Sequence, residues 1–118
     1  MTIAEKILAK NSGRDKVVPG DLVTVTVDTV VLFDNNFSPT NWQDVLRLEH
    51  PERIVVVLDH RVPAVAVASA SAQATARRFV EQFGIRRFHD LGATQGISHQ
   101  IVAEEAYVLP GGVLVCAD

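Results

Sequence analysis

A chain of 118 residues, 47% hydrophobic and 21% charged, is long enough for one buried core and too short for two ordinary domains, so residues 1–118 are read as a single domain of the globular class. The net charge of -3, with eleven Lys and Arg scattered rather than clustered, offers no attraction to phosphate backbones or anionic lipid and argues against nucleic-acid and membrane partners. The single cysteine, Cys116, can form no internal disulfide and cannot alone supply a zinc or iron-sulfur site, so neither a metal nor a cofactor is expected in this chain by itself.

The first residues mix charge with apolar side chains and contain no run resembling a secretory signal, and nothing later is a bilayer-spanning stretch. A cytoplasmic location is therefore expected. Ile3, Ile7 and Leu8 share one helical stripe, with Thr2 as N-cap and Glu5 placed for a capping box, which predicts an opening helix. After the Pro19-Gly20 turn, Leu22 to Asp28 alternates valine with polar residues and runs into Val30-Val31-Leu32, the pattern of a strand passing from half-exposed to buried.

Phe33 to Pro39 reads as a polar loop, and Thr40 or Asn41 as the cap of a helix reaching Leu48. Arg53 to Asp59 is a continuous β-branched run that suits a strand covered on both faces. Ser69 to Phe83 carries Ala72, Ala76, Phe79, Val80 and Phe83 at helical spacing and stops at Gly84, a good C-terminal cap. Ile85 to Asp90 follows as a strand, Gly92 to Gly96 as a loop, Gly96 to Gln100 as the start of a short helix, and Val113 to Cys116 as a last strand after Pro110-Gly-Gly. The alternation of strand and helix predicts an α/β fold with helices packed on a mainly parallel sheet.

Ligands of open α/β sheets gather beyond the carboxyl ends of the strands, and those ends carry Asp34, Asp59-His60, His89-Asp90 and Asp118. Asp59-His60-Arg61 brings a carboxylate, an imidazole and a guanidinium to one edge, sufficient in type for acid-base work on an anionic acid, although a solvated loop would use the same residues. His99, in Gly96-Ile-Ser-His-Gln, suits either a general acid-base role or a loop cap. Asp34-Asn35-Asn36 could bind a hydroxyl, carboxylate or metal through its oxygens, and a turn explains the same composition. His89-Asp90 reads as structural and His50 as a surface residue. Gly92-Ala-Thr-Gln-Gly96 lacks the Lys and Ser/Thr of a phosphate loop and the spacing of a dinucleotide fingerprint.

Five ordered motifs, Met1 to Ala9, Val18-Pro-Gly-Asp21, Asp59-His60 with Val62-Pro63, Gly96-Ile-Ser-His99-Gln100, and Leu109 to Asp118, resemble the N-terminal portion of the aconitase family. The nearest branch is that of 3-isopropylmalate dehydratase and homoaconitase large subunits. The resemblance implies part of an aconitase-like N-terminal domain, from a parent that dehydrates or rehydrates a 2-hydroxy di- or tricarboxylic acid. Three cysteines beyond this stretch would hold a 4Fe-4S cluster in that parent. By the same resemblance His60 handles the proton of the departing hydroxyl with Asp59 as its partner, His99 is a second active-site histidine with Asp118 as its carboxylate, and Asp34 and Asn35 stand at the substrate. The implied partners are the rest of the large subunit and a small, swivelling-domain subunit. Phe33 departs from the Gln or His that the family usually places before this Asp. The competing reading is a non-catalytic stand-alone module that binds a small acid or a protein partner.

Overall fold

The computed structural model describes residues 1–117 and shows a four-stranded, wholly parallel sheet with helices on it, an α/β fold as the sequence implies. The strands are β1 (Thr29–Phe33), β2 (Ile54–Val57), β3 (Arg87–His89) and β4 (Leu114–Cys116), in the spatial order β3-β2-β1-β4. The helices are α1 (Ile3–Ser12), α2 (Val67–Phe83) and α3 (Ser98–Glu104). From β1 the chain steps outward to β2 and β3, then returns to the far side of β1 for β4. That reversal puts the two crossover helices on opposite faces, because parallel crossovers keep one hand.

Alternation along the strands sorts side chains between two cores. Leu32, Val56, Leu58 and Phe88 face α2, meeting Ala72, Ala76 and Phe79. Val31, Phe33, Val55, Val57, Leu114 and Cys116 face α3 and Ile101. Val55, Val56, Val57 and Leu58 are fully buried, as a β-branched run covered on both faces should be. Each such side chain contributes about 1.5–3 kcal/mol by leaving water. α1 begins with the expected reciprocal capping box, in which Glu5 N–H donates to Thr2 Oγ1 and Thr2 N–H donates to Glu5 Oε2. Gly84 closes α2 in the left-handed region at φ 62°, where a side chain would be strained.

One expected strand forms only in its second half, as β1, and one expected helix does not form. Residues 22–28 keep alternating exposure, with Val23, Val25 and Val27 half-buried between exposed Thr24 and Thr26, yet they are not a strand. Their amides go elsewhere: Thr26 N–H donates to Asn11 O and Asp28 N–H to Val113 O. Residues 40–48 are not a helix either. Trp42 lies tilted at 4.6 Å from Phe37 and edge-on at 5.2 Å from Phe79, and this aromatic anchorage, with Val45 and Leu48 beside it, lays the segment along α2. The loop after β1 is tighter and less polar than expected, a 3-10 turn over Asp34–Phe37 whose Phe37 is buried.

Candidate active site at the strand ends

The ends of β1 and β2 lie side by side, with Phe33 paired to Val57, so Asp34 and the turn Asp59-His60-Arg61 emerge together. Asp34 is buried, 2% exposed, and both its oxygens serve that turn: Oδ1 accepts from His60 N–H at 3.3 Å and Oδ2 from Arg61 N–H at 2.8 Å. Gln73, from α2, donates to Arg61 O at 2.7 Å and ties the turn to the helix. The backbone carrying His60 is thus held from two sides.

Asp59 bridges two elements. Its Oδ1 lies 2.7 Å from His60 Nδ1 and its Oδ2 accepts from Ser98 N–H at 2.7 Å, joining the turn to the start of α3. An ionised carboxylate only accepts, so Nδ1 carries the proton in this contact. Asp34 Oδ1, 3.6 Å from the same Nδ1, adds a second negative charge. The donor atoms of Asp34, Asp59 and His60 all lie within 4.8 Å of one another, a spacing a cation could use, but their oxygens already hold backbone amides and the imidazole.

His99 stands exposed in the first turn of α3, where the Asp59 to Ser98 bond delivers it toward His60. Both rings rest on Phe33, His60 at 5.0 Å between centroids and His99 edge-on at 6.5 Å. Phe33, 1% exposed, is the floor of the site. An open cleft of about 250 Å³ is lined by Asp59, His60, Ile97, Ser98 and His99. The structure therefore brings together Asp59, His60 and His99. It places Asp34 beneath them as a brace, and Asn35 in a different, smaller pocket with Arg61. Asp118 lies outside the described residues. Ser98, buried and supplying the amide for Asp59, was not evident from sequence, because a backbone donor leaves no compositional signal.

Cys116 is half-buried on β4 in the α3-facing core, and the chain has no other thiol. An iron-sulfur cluster takes three or four protein ligands, so the residues of this chain do not form a site for one. The other strand-end pair is structural, as expected. His89 places Nδ1 at 3.0 Å from Thr94 O and Nε2 at 2.7 Å from the Tyr107 hydroxyl, while Asp90 pairs with Arg77. His50 pairs with Glu52 at the surface. No helix of the described residues is long and apolar enough to cross a membrane.

Fold and site together define an α/β protein with a carboxylate-braced imidazole at the carboxyl ends of its central strands. No protein-family model matches the chain. Individual relatives do, over its whole length: it is 42% identical to the 3-isopropylmalate dehydratase large subunit of Mycolicibacterium smegmatis and 38% identical to a probable 3-isopropylmalate dehydratase large subunit of Methanothermobacter thermautotrophicus. Over 93% of its length it is 41% identical to the methanogen homoaconitase large subunit of Methanocaldococcus jannaschii. These relatives are large subunits of the aconitase family, and the chain is similar to them over its own length. It spans only 28%, 29% and 26% of those three relatives.

Proposed function

We propose that the chain is one part of a 4Fe-4S hydro-lyase large subunit acting on a 2-hydroxy di- or tricarboxylic acid of the 3-isopropylmalate or homoaconitate type, and that it contributes the acid-base histidines. The observation that carries this reading is the convergence of Asp59-His60 and His99 on one open cleft over Phe33. In such a reaction hydroxide is a poor leaving group and must receive a proton as it departs. His60 is the donor in this proposal, with Asp59 orienting the ring through Nδ1. His99 is the second proton-handling group, with Asp118 as its carboxylate. Asp34 fixes the turn, whereas Asn35, which lines a different pocket, does not reach this cleft.

The cluster would supply a Lewis acid, and its thiolates would come from outside this chain. The same applies to the partners, the remainder of the large subunit and a small swivelling-domain subunit in the cytoplasm. Two features support an interface of that kind. Leu22 and Leu46 are 93% and 94% exposed, and Val65, Ile97 and Leu109 are exposed as well. The radius of gyration is 16.1 Å, whereas a closed domain of this length is expected near 13–14 Å. Both suit an incomplete domain whose apolar surface is covered by further chain. They favour the enzyme-part reading over a stand-alone module.

The test is His60→Ala in the complete enzyme, with turnover measured on cluster-loaded protein. A fall of about 100-fold or more is expected for a lost general acid. Unchanged turnover removes that role from His60.

A further inference from the structure

On the other side of the same turn lies a small pocket of about 70 Å³, lined by Asp34, Asn35, Arg61, Ala68, Ser69 and Ala72. It sits at the N-terminus of α2, a 17-residue helix that begins without a capping side chain, with Ala66 at the N-cap and no acidic residue in its first turn. The amides of Val67, Ala68 and Ser69 precede the first intrahelical bond, which Ala70 N–H makes to Ala66 O. They therefore present partial positive charge with no acidic residue in the helix's own first turn to balance it. Ser69 provides the second observation. Only 6% exposed, it has a buried Oγ with no hydrogen-bond partner, in a position where an unpaired hydroxyl is costly. Arg61 adds a cation at the mouth, exposed and with no ion pair among the described residues.

We propose that this pocket is a binding site for a single carboxylate group, held by the first-turn amides of α2, the Ser69 hydroxyl and Arg61. Its size argues for one small oxyanionic group, since 70 Å³ is roughly the liquid volume of two waters. Asp34 lines the pocket too, and its charge opposes an anion. Both of its oxygens already accept backbone amides, so the opposition weakens the site without closing it. The site requires nothing of the chemistry at His60, from which it is separated by the turn that carries both His60 and Arg61.

The probe is sodium acetate, titrated into the 15N-labelled chain at constant ionic strength while amide shifts are followed. Saturable shifts confined to Val67, Ala68, Ser69 and Arg61 are expected, with the midpoint raised about fivefold or more in Arg61→Gln and in Ser69→Ala. Arg61→Lys, which keeps the charge, should raise it less than Arg61→Gln does. Because Arg61 is exposed, its substitutions leave the core untouched, and the dispersion of the same spectra verifies the fold of these variants and of the buried-site Ser69→Ala. Shifts that grow linearly without saturating overturn the site, as does a midpoint unchanged in Arg61→Gln. Inorganic phosphate binding more tightly than acetate overturns the assignment to a carboxylate.

Discussion

Two strands of this sheet end in the same two residue types, and the protein treats them in opposite ways. After β2, Asp59 orients His60 beside an open cleft that His99 also borders. After β3, His89 is 8% exposed, with one nitrogen against Thr94 O and the other against the Tyr107 hydroxyl. A carbonyl can only accept, so Nδ1 of His89 bears the proton toward Thr94 O while Nε2 meets the Tyr107 hydroxyl, and both ring positions are filled. Burial raises the Tyr107 phenol above its ordinary range, with the nearby Glu105 acting in the same direction, so the hydroxyl stays a donor at neutral pH. Asp90, meanwhile, turns away from its neighbour to Arg77. The same two residue types therefore border an open cleft at one strand end and are tied into the surrounding structure at the other.

The comparison can be broken at its floor first. Phe33→Ala removes a buried ring beneath both cleft histidines and should cost about 3–5 kcal/mol, read as a lower denaturant midpoint with an unchanged slope. A loss below about 1 kcal/mol would mean that the ring does not support the site. Next, Asp59→Asn in the complete enzyme keeps an acceptor for Ser98 N–H and removes the charge that holds the imidazole. Turnover should fall about 100-fold, equivalent to about 2.7 kcal/mol, with the substrate Michaelis constant little changed. Equal turnover would place the two strand ends on the same structural footing. His89→Phe sharpens the contrast from the other side, leaving the Tyr107 hydroxyl and Thr94 O unpaired at a cost of about 1–3 kcal/mol, with turnover per folded molecule unchanged.

Much of this was legible from residue pattern alone, for reasons that differ by element. The Val55 to Leu58 run, the capping box at Thr2 and Glu5 and the glycine after Phe83 are local signals with local causes, and all three behave as read. The failures are at positions where a neighbour decides. Val23, Val25 and Val27 do alternate in exposure, but a period-2 pattern reports which side is covered and not whether another backbone lies alongside to pair with it. Residues 40–48 are too few to hold a helix by themselves, so the packing of Trp42 against Phe37 and Phe79 prevails. In the candidate site, the residue types at the strand ends were evident. That Asp34 would face inward to bind the His60 and Arg61 amides, and that Ser98 would tie α3 to Asp59, depends on register between segments far apart in sequence.

The smallest effect concerns Asp90, and pH gives it a distinctive shape. The Arg77 guanidinium grips its carboxylate through two hydrogen bonds, at 2.6 and 2.9 Å, and holds its pKa below the ordinary value. Partial burial works against that shift, and the Leu91 amide assists it. A carboxyl whose pKa is depressed on folding binds its proton more readily when unfolded. Its contribution is therefore complete above the unfolded value, near about 3.9, and disappears as pH falls through the lower folded value. Arg77 is 45% exposed, so solvent screening keeps the contribution to about 0.5–1 kcal/mol despite the bidentate geometry. Asp90→Asn should accordingly be less stable than the parent by about that amount at pH 7, and the gap should shrink toward zero as the solution is taken below about pH 3. Denaturant midpoints of the two proteins across that range provide the measurement. A gap that stays constant with pH would show that Asp90 acts by packing rather than by charge, and would remove the ionic half of the contrast between the two strand ends.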